Sequence, residues 1–257
     1  MNKEEKTKSG MPLGIIVGVL VAAVVGMGLL YSCSGKPANN GTPNKNTPKN
    51  TQATIQPNAP DGATPPNLLG SPTATVTVEE FADFQCPSCG DKFPVLKQIQ
   101  SIYGSRIKFI FRNFPLTMHD KAYDAAVAAE AAGLQGKFWD MQNQLYTNQK
   151  SWSVDPNYKQ VWADYAQKIG LDVEKWKTDM AGLQTKSRVD ADMARAKALQ
   201  VSSTPTVYIN GKAVQYAEMT VDTLRTLIDS ELNANQASKP ASTGPANTGA
   251  NSNSGQK

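Results

Sequence analysis

The stretch EEFADFQCPSCGDKFPVLKQI, Glu79–Ile99, holds two of the chain's three cysteines, Cys86 and Cys89, with two residues between them. The run leading into it, TATVTVEEFADF from Thr73 to Phe84, alternates and is rich in β-branched residues, which predicts a strand. Beyond Cys86, PSCGDKFPVLKQIQSIY predicts a helix with Phe93, Leu96, Ile99 and Ile102 on one face and a kink at Pro94. A cysteine pair set between strand and helix admits three readings. A structural disulfide over so short a loop closes little chain and stabilises little. A zinc site needs two more ligands, and the other soft donors are His119 and the distant Cys33, so no metal is expected. A redox pair needs nothing else, and this is its usual setting.

The setting has a physical basis. Cys86 falls at the start of the helix, where backbone N–H groups lack helical partners and the dipole favours an anion. A Cys86 thiolate is therefore stabilised, and its pKa should drop below the free value of about 8.5. Pro87 suits the first helical position, which needs no N–H. Cys89 lies one turn further on the same side and should be less exposed. Cys86 is then the attacking sulfur and Cys89 the resolving one. Stabilising the thiolate favours the reduced pair, so the disulfide form becomes the stronger oxidant. No cofactor is expected.

Outward from this stretch, RIKFIFRNF (Arg106–Phe114) predicts a second strand, and residues 118–200 are helix formers broken at Gly133, Gly136, Pro156 and Gly170. TPTVYINGKAVQY predicts a hairpin, because two strand-like runs flank Asn210-Gly211. TVDTLRTLIDSEL (Thr220–Leu232) predicts a last amphipathic helix. Strand–helix–strand with a short link implies a parallel pair with a right-handed crossover, to which the hairpin adds antiparallel strands. The expected fold is α/β, a mixed sheet flanked by helices with a helical insertion at about 118–200. Phe138, Trp139 and Trp162 read as core of that insertion rather than a ligand site.

Residues 34–66 and 234–257 are rich in Asn, Pro, Thr and Gly, too polar to offset the entropy of ordering, and read as a linker (33–66) and a tail. The domain is then 67–233, with 18 Lys/Arg against 19 Asp/Glu, which gives no case for nucleic-acid binding. Met11–Ser32, MPLGIIVGVLVAAVVGMGLLYS, is uncharged; from Pro12 to Tyr31 it makes a helix of roughly 30 Å, enough to cross a bilayer. Residues 1–10 then read as a cytoplasmic N-terminus and the domain as extracytoplasmic. LYSC (Leu30–Cys33) is similar to a bacterial lipoprotein box, which makes Cys33 a candidate for lipidation. An uncleaved anchor, a lipidated Cys33 and simple cleavage remain as alternatives.

EEFADFQCPSCGDKFP followed by SSTPTVYINGKAV resembles the DsbA-like thiol–disulfide oxidoreductases of the thioredoxin superfamily, over about Leu69 to Leu232. The resemblance implies a thioredoxin fold and an extracytoplasmic enzyme that oxidises cysteines in secreted or surface proteins. It assigns Cys86 as nucleophile, Cys89 as its partner, and Thr204-Pro205 as the cis-proline loop whose Thr204 backbone pairs with an extended client. It makes Glu80 an acid buried under the site, and a buried acid has a raised pKa and can relay a proton to Cys89. Ser88 stands where some relatives have histidine, which removes a cationic partner for the thiolate; Pro87 and Ser88 thus tune the site. The implied partners are reduced client proteins and a quinone-linked membrane protein that reoxidises the pair. A reductase or isomerase of the same chemistry, and a non-catalytic peptide-binding module, are the rival readings.

Overall fold

The computed structural model describes residues 54–56 and 58–237. Five strands form one mixed sheet in the order β1-β3-β2-β4-β5: β1 (Asn67–Gly70), β2 (Thr77–Ala82), β3 (Lys108–Asn113), β4 (Thr206–Ile209) and β5 (Lys212–Val214). Strands β2 and β3 run parallel, with Val78 opposite Phe109 and Phe81 opposite Arg112. The other pairs are antiparallel. Helix α1 (Pro87–Tyr103) makes the crossover, and α8 (Val221–Ala237) closes the chain. Between β3 and β4 lie α2 (Ala122–Gly133), α3 (Phe138–Thr147), α4 (Gln149–Trp152), α5 (Tyr158–Lys168), α6 (Val173–Ala181) and α7 (Leu183–Ala198). This is the thioredoxin-like mixed sheet with a helical insertion.

Period-two alternation sorts β2 between two faces. Val76, Val78 and Glu80 share one parity. Val76 and Val78 pack with Leu96, Ile99, Tyr103, Phe109, Leu224 and Ile228, a core built by α1, α8 and the sheet. Phe81, of the other parity, packs with Ala196, Val201 and Tyr208. The insertion has its own core, where the alanine-rich α2 lets neighbouring helices approach closely around Trp152, Trp162 and Trp176. Phe138 and Trp162 are buried there, and Trp139 packs partly buried between both large cores. The Asn210-Gly211 turn has positive φ at both residues, 46° and 79°, as the tight hairpin requires.

Several boundaries differ from the sequence expectation. The strand expected from Thr73 is regular only over Thr77–Ala82. Strand β1 was not foreseen, since four residues, NLLG, carry no alternation to detect. On α1 the buried ridge is Cys89, Leu96, Ile99 and Tyr103, whereas Ile102 is 37% exposed. Tyr103 takes the inward place, and its hydroxyl reaches Asp229 at 2.8 Å. Helix α1 continues as one element through Pro94.

The segment read as linker up to residue 66 is bound to the domain in its last part. Ile55 N–H donates to Gly211 O at 2.9 Å, and Ala63 is buried with its N–H on Asp192 Oδ1 at 2.8 Å. Arg112 and Arg195 hold the Ala63 and Pro60 carbonyls at 3.0 and 2.7 Å. Polar composition alone hides this, because the binding energy comes from backbone groups meeting buried charges. At the other end α8 runs to Ala237, past the expected limit of 233. The expected membrane segment, Cys33 and the first part of the linker lie outside the described residues. Among those residues, no helix is long and apolar enough to cross a membrane.

Candidate active site

Cys86 is the N-cap of α1, with extended backbone, and Pro87 fills the first helical position. Its carbonyl accepts from the N–H groups of Cys89 and Gly90 at 3.1 and 3.2 Å, which starts the helix. Both cysteines are free thiols. Cys86 is only 6% exposed, less than an attacking sulfur was expected to be, and Cys89 is 1% exposed. The helix start tucks Cys86 under the loop before β4, where its Sγ meets Thr204 O at 3.4 Å. The Thr204–Pro205 bond is cis. So one edge of the nucleophile faces the loop 118 residues further along the chain.

The two sulfurs have opposite acidities. The Cys89 thiol donates to Cys86 and, with the Thr204 side chain and the first-turn amides of Cys89 and Ser88, pulls the Cys86 pKa down to about 5 against the cost of burial. Cys89 is held well above its usual value, by burial first and then by its hydrogen bond to Cys86 and the charge on that sulfur. This is the asymmetry that the helix N-terminus argument requires. Glu80 is 3% exposed, has no ion-pair partner among the described residues, and is pushed up to about 8 by burial alone. It is thus a carboxyl kept mostly protonated near neutral pH. Its neighbour Glu79, on the other face of β2, is ionised instead, because Arg112 and Arg195 both bind it at 2.8 Å.

Three residues that the sequence reading passed over build the site. Asp83 is fully buried and ties four N–H groups to one carboxylate. Its Oδ1 accepts from Gln85 N at 2.7 Å and Cys86 N at 3.2 Å; its Oδ2 accepts from Leu116 N at 2.9 Å and meets His119 Nδ1 at 2.6 Å. It therefore joins the segment before Cys86 to the loop after β3. Gln149, from the insertion, donates through Nε2 to the Phe84 and Cys86 carbonyls, both at 2.8 Å. Tyr146 donates to Asp83 O at 3.4 Å and stacks near Phe84 and Phe93. Gly90 makes room for this: a Cβ there would lie 2.3 Å from Gln149 Oε1. An aspartate three residues ahead of a helix cap is a readable turn signal. Gln149 and Tyr146 leave no such trace, since their partners are about 60 residues away. Among the described residues no cluster of three or more His, Cys, Asp or Glu could hold a metal.

Residues 63–230 match the family model described as thioredoxin. The chain is 30% identical over 236 residues to a probable disulfide bond formation protein D of Bacillus cereus, covering 88% of this chain and 99% of that one. It is 36% identical over 149 residues to the Na(+)/H(+) antiporter NhaA 1 of Mycolicibacterium gilvum; that match covers 57% of this chain and 23% of the relative. The chain thus spans about a quarter of the length of such antiporter relatives. Among solved structures, oxidised BdbD from Bacillus subtilis superposes with a TM-score of 0.59 at 27% identity, over 68% of this chain and 98% of that one.

Proposed function

The chain belongs to the DsbA-like thiol–disulfide oxidoreductases of the thioredoxin superfamily, and we propose that it is a membrane-tethered oxidase of cysteine pairs in secreted or surface proteins. The observation that carries this reading is the pairing of an acidic Cys86 with a strongly basic Cys89 at one helix start. In the disulfide form, a client thiolate attacks Cys86 Sγ. The Cys86–Cys89 bond breaks, its electron pair leaves on Cys89, and a client–Cys86 disulfide forms. Buried Cys89 cannot remain an anion, so it takes a proton, and the proposed source is Glu80, a carboxyl that burial keeps protonated. A second client thiolate then attacks the client sulfur of the mixed disulfide and expels Cys86 as a stable thiolate. The client has lost two electrons and the enzyme pair has gained them.

Direction follows from the same asymmetry. Each tenfold gain in acidity of the reduced pair raises its potential by about 30 mV, towards oxidation of clients. The Thr204 backbone, whose carbonyl lies 3.4 Å from Cys86 Sγ, is the proposed pairing point for an extended client. A membrane protein that passes electrons to quinone, the partner implied by the family, then restores the disulfide. The uncharged run Met11–Ser32 supports a tether, with the catalytic domain outside the membrane. A redox titration of the purified chain against glutathione tests direction. The expected potential lies well above the value of about −270 mV typical of thioredoxin. A potential at or below that figure would turn the reading into a reductase, and a Cys86→Ser chain that still oxidises a reduced protein would remove the pair from the chemistry.

A further inference from the structure

Asp83 carries a carboxylate into the middle of the site, and the redox steps give no role to the side chain that meets it there. Its Oδ2 meets His119 Nδ1 at 2.6 Å, and the imidazole is 18% exposed. Among the described residues no lysine or arginine forms an ion pair with Asp83. A carboxylate only accepts, so Nδ1 carries the proton of this bond. The loop around the ring is held by other means. Lys121 N donates to Gln85 Oε1 at 2.7 Å, Gln85 Nε2 donates to Asp120 Oδ1 at 2.8 Å, and His119 N donates to Leu116 O at 3.0 Å.

We infer that His119 is a positioning residue for the thiol exchange: its Nδ1–H fixes the Asp83 carboxylate, and Asp83 fixes the backbone around both sulfurs. The inference rests on the reading of Cys86–Cys89 as the reactive pair. Three observations carry it. Asp83 touches both halves of that pair: its Oδ1 accepts from Cys86 N at 3.2 Å, and its own backbone N–H donates to Cys89 Sγ at 3.5 Å. Cys86 is the N-cap, so the pose of its amide decides where the first-turn N–H groups of Ser88 and Cys89 point, and these help to hold the Cys86 anion. Secondly, His119 is the one side-chain donor to this carboxylate among the described residues; the other three bonds come from the Gln85, Cys86 and Leu116 amides. Thirdly, the Gln85 and Leu116 bonds hold the loop without the ring, so the imidazole is not needed to keep its own backbone in place. A buried carboxylate that loses a donor either takes a proton or turns away, and in both cases its grip on the Cys86 amide weakens. The Cys86 anion then loses aligned N–H groups, and the disulfide becomes a weaker oxidant.

The test uses the full chain and reads two quantities that a general loss of stability does not move. One is the equilibrium of the pair with glutathione; the other is the pH at which Cys86 ionises, followed by thiolate absorbance. His119→Ala should lower the oxidising equilibrium constant about tenfold, which corresponds to about 30 mV, and make Cys86 about tenfold less acidic. His119→Asn sets an amide N–H where Nδ1 stood and should restore most of both. His119→Leu fills the space of the ring without a donor; it should behave as the alanine variant does, and it replaces that variant if the alanine chain does not fold. Alanine and leucine chains that keep the potential of the unaltered chain overturn the inference, even where they unfold more readily. An asparagine chain as impaired as the alanine chain also overturns it, because the charge of the ring rather than its hydrogen bond would then act. Both results leave the redox reading standing. An unaltered chain that does not exchange with glutathione overturns that reading and the inference with it.

Discussion

At the scale of single residues, the chemistry is a sorting of protons between three buried groups. Cys86 ionises near pH 5 in the folded, reduced chain, whereas an unfolded thiol holds its proton to about 8.5. Its folded pKa is depressed, so the stability it contributes is present above the unfolded value and lost as pH falls through the folded one. Between pH 7 and pH 5 the reduced form should lose about 2 kcal/mol relative to the oxidised form, which has no thiol to titrate. Denaturant unfolding of both redox states at the two pH values measures this gap, and a gap that does not move with pH removes the low-pKa thiolate. Glu80 acts in the opposite sense. Its folded pKa of about 8 exceeds the unfolded value, so its penalty is absent below about pH 4.5 and grows until about pH 8. Glu80→Gln should stabilise the domain at pH 7 by about 3 kcal/mol at most, and by almost nothing at pH 4. The same substitution should slow client oxidation at least tenfold by withholding the proton from Cys89. Stabilisation without slowing would leave Glu80 a buried acid with no relay role.

At the scale of elements, the site depends on joints between segments that are distant in sequence. The C-x-x-C helix start and the hairpin were legible because spacing and turn residues are local: Cys86 and Cys89 three apart, Asn210 beside Gly211. Strand β1 and the packed segment around Ala63 were not, because each is held by long-range partners. Asn67 Nδ2 bonds Glu130 at 2.7 Å, and Ala63 N–H bonds Asp192 at 2.8 Å. Asp83 is the clearest such joint, since its two oxygens tie the Cys86 segment to the loop carrying His119. Asp83→Asn turns one of those oxygens into an N–H₂ group facing N–H donors. The expected cost is about 2–4 kcal/mol, from lost charge-assisted bonds and unsatisfied buried amides. Hydrogen exchange should quicken most at the Gln85, Cys86 and Leu116 amides. Exchange that quickens evenly over the sheet would show a general loss of stability rather than a loosened joint.

At the scale of the whole molecule, one face of the sheet is a thioredoxin core that could stand in many proteins, and what distinguishes this chain lies around it. The insertion reaches back through Gln149 and Tyr146 to hold the strand-to-helix loop, so the added domain is part of the site's frame. Under the proposed function, the uncharged run Met11–Ser32 would set where that site works. If it spans the bilayer, the chain should sediment with membranes and resist an alkaline wash. Val21→Arg, at the middle of the run, should release much of it, since a central arginine costs about 2.5–3.5 kcal/mol on insertion. Cys33→Ser separates the two tethers: a peptide anchor keeps the chain on the membrane, whereas a lipid anchor is lost with its sulfur. After the cells are treated with a reductant that cannot cross membranes, an equally impermeant thiol reagent should label Cys86, because an acidic thiolate reacts fastest when the reagent reaches it. Labelling that appears only after the cells are opened would place the pair on the reducing side, and client oxidation there has no compartment in which to persist.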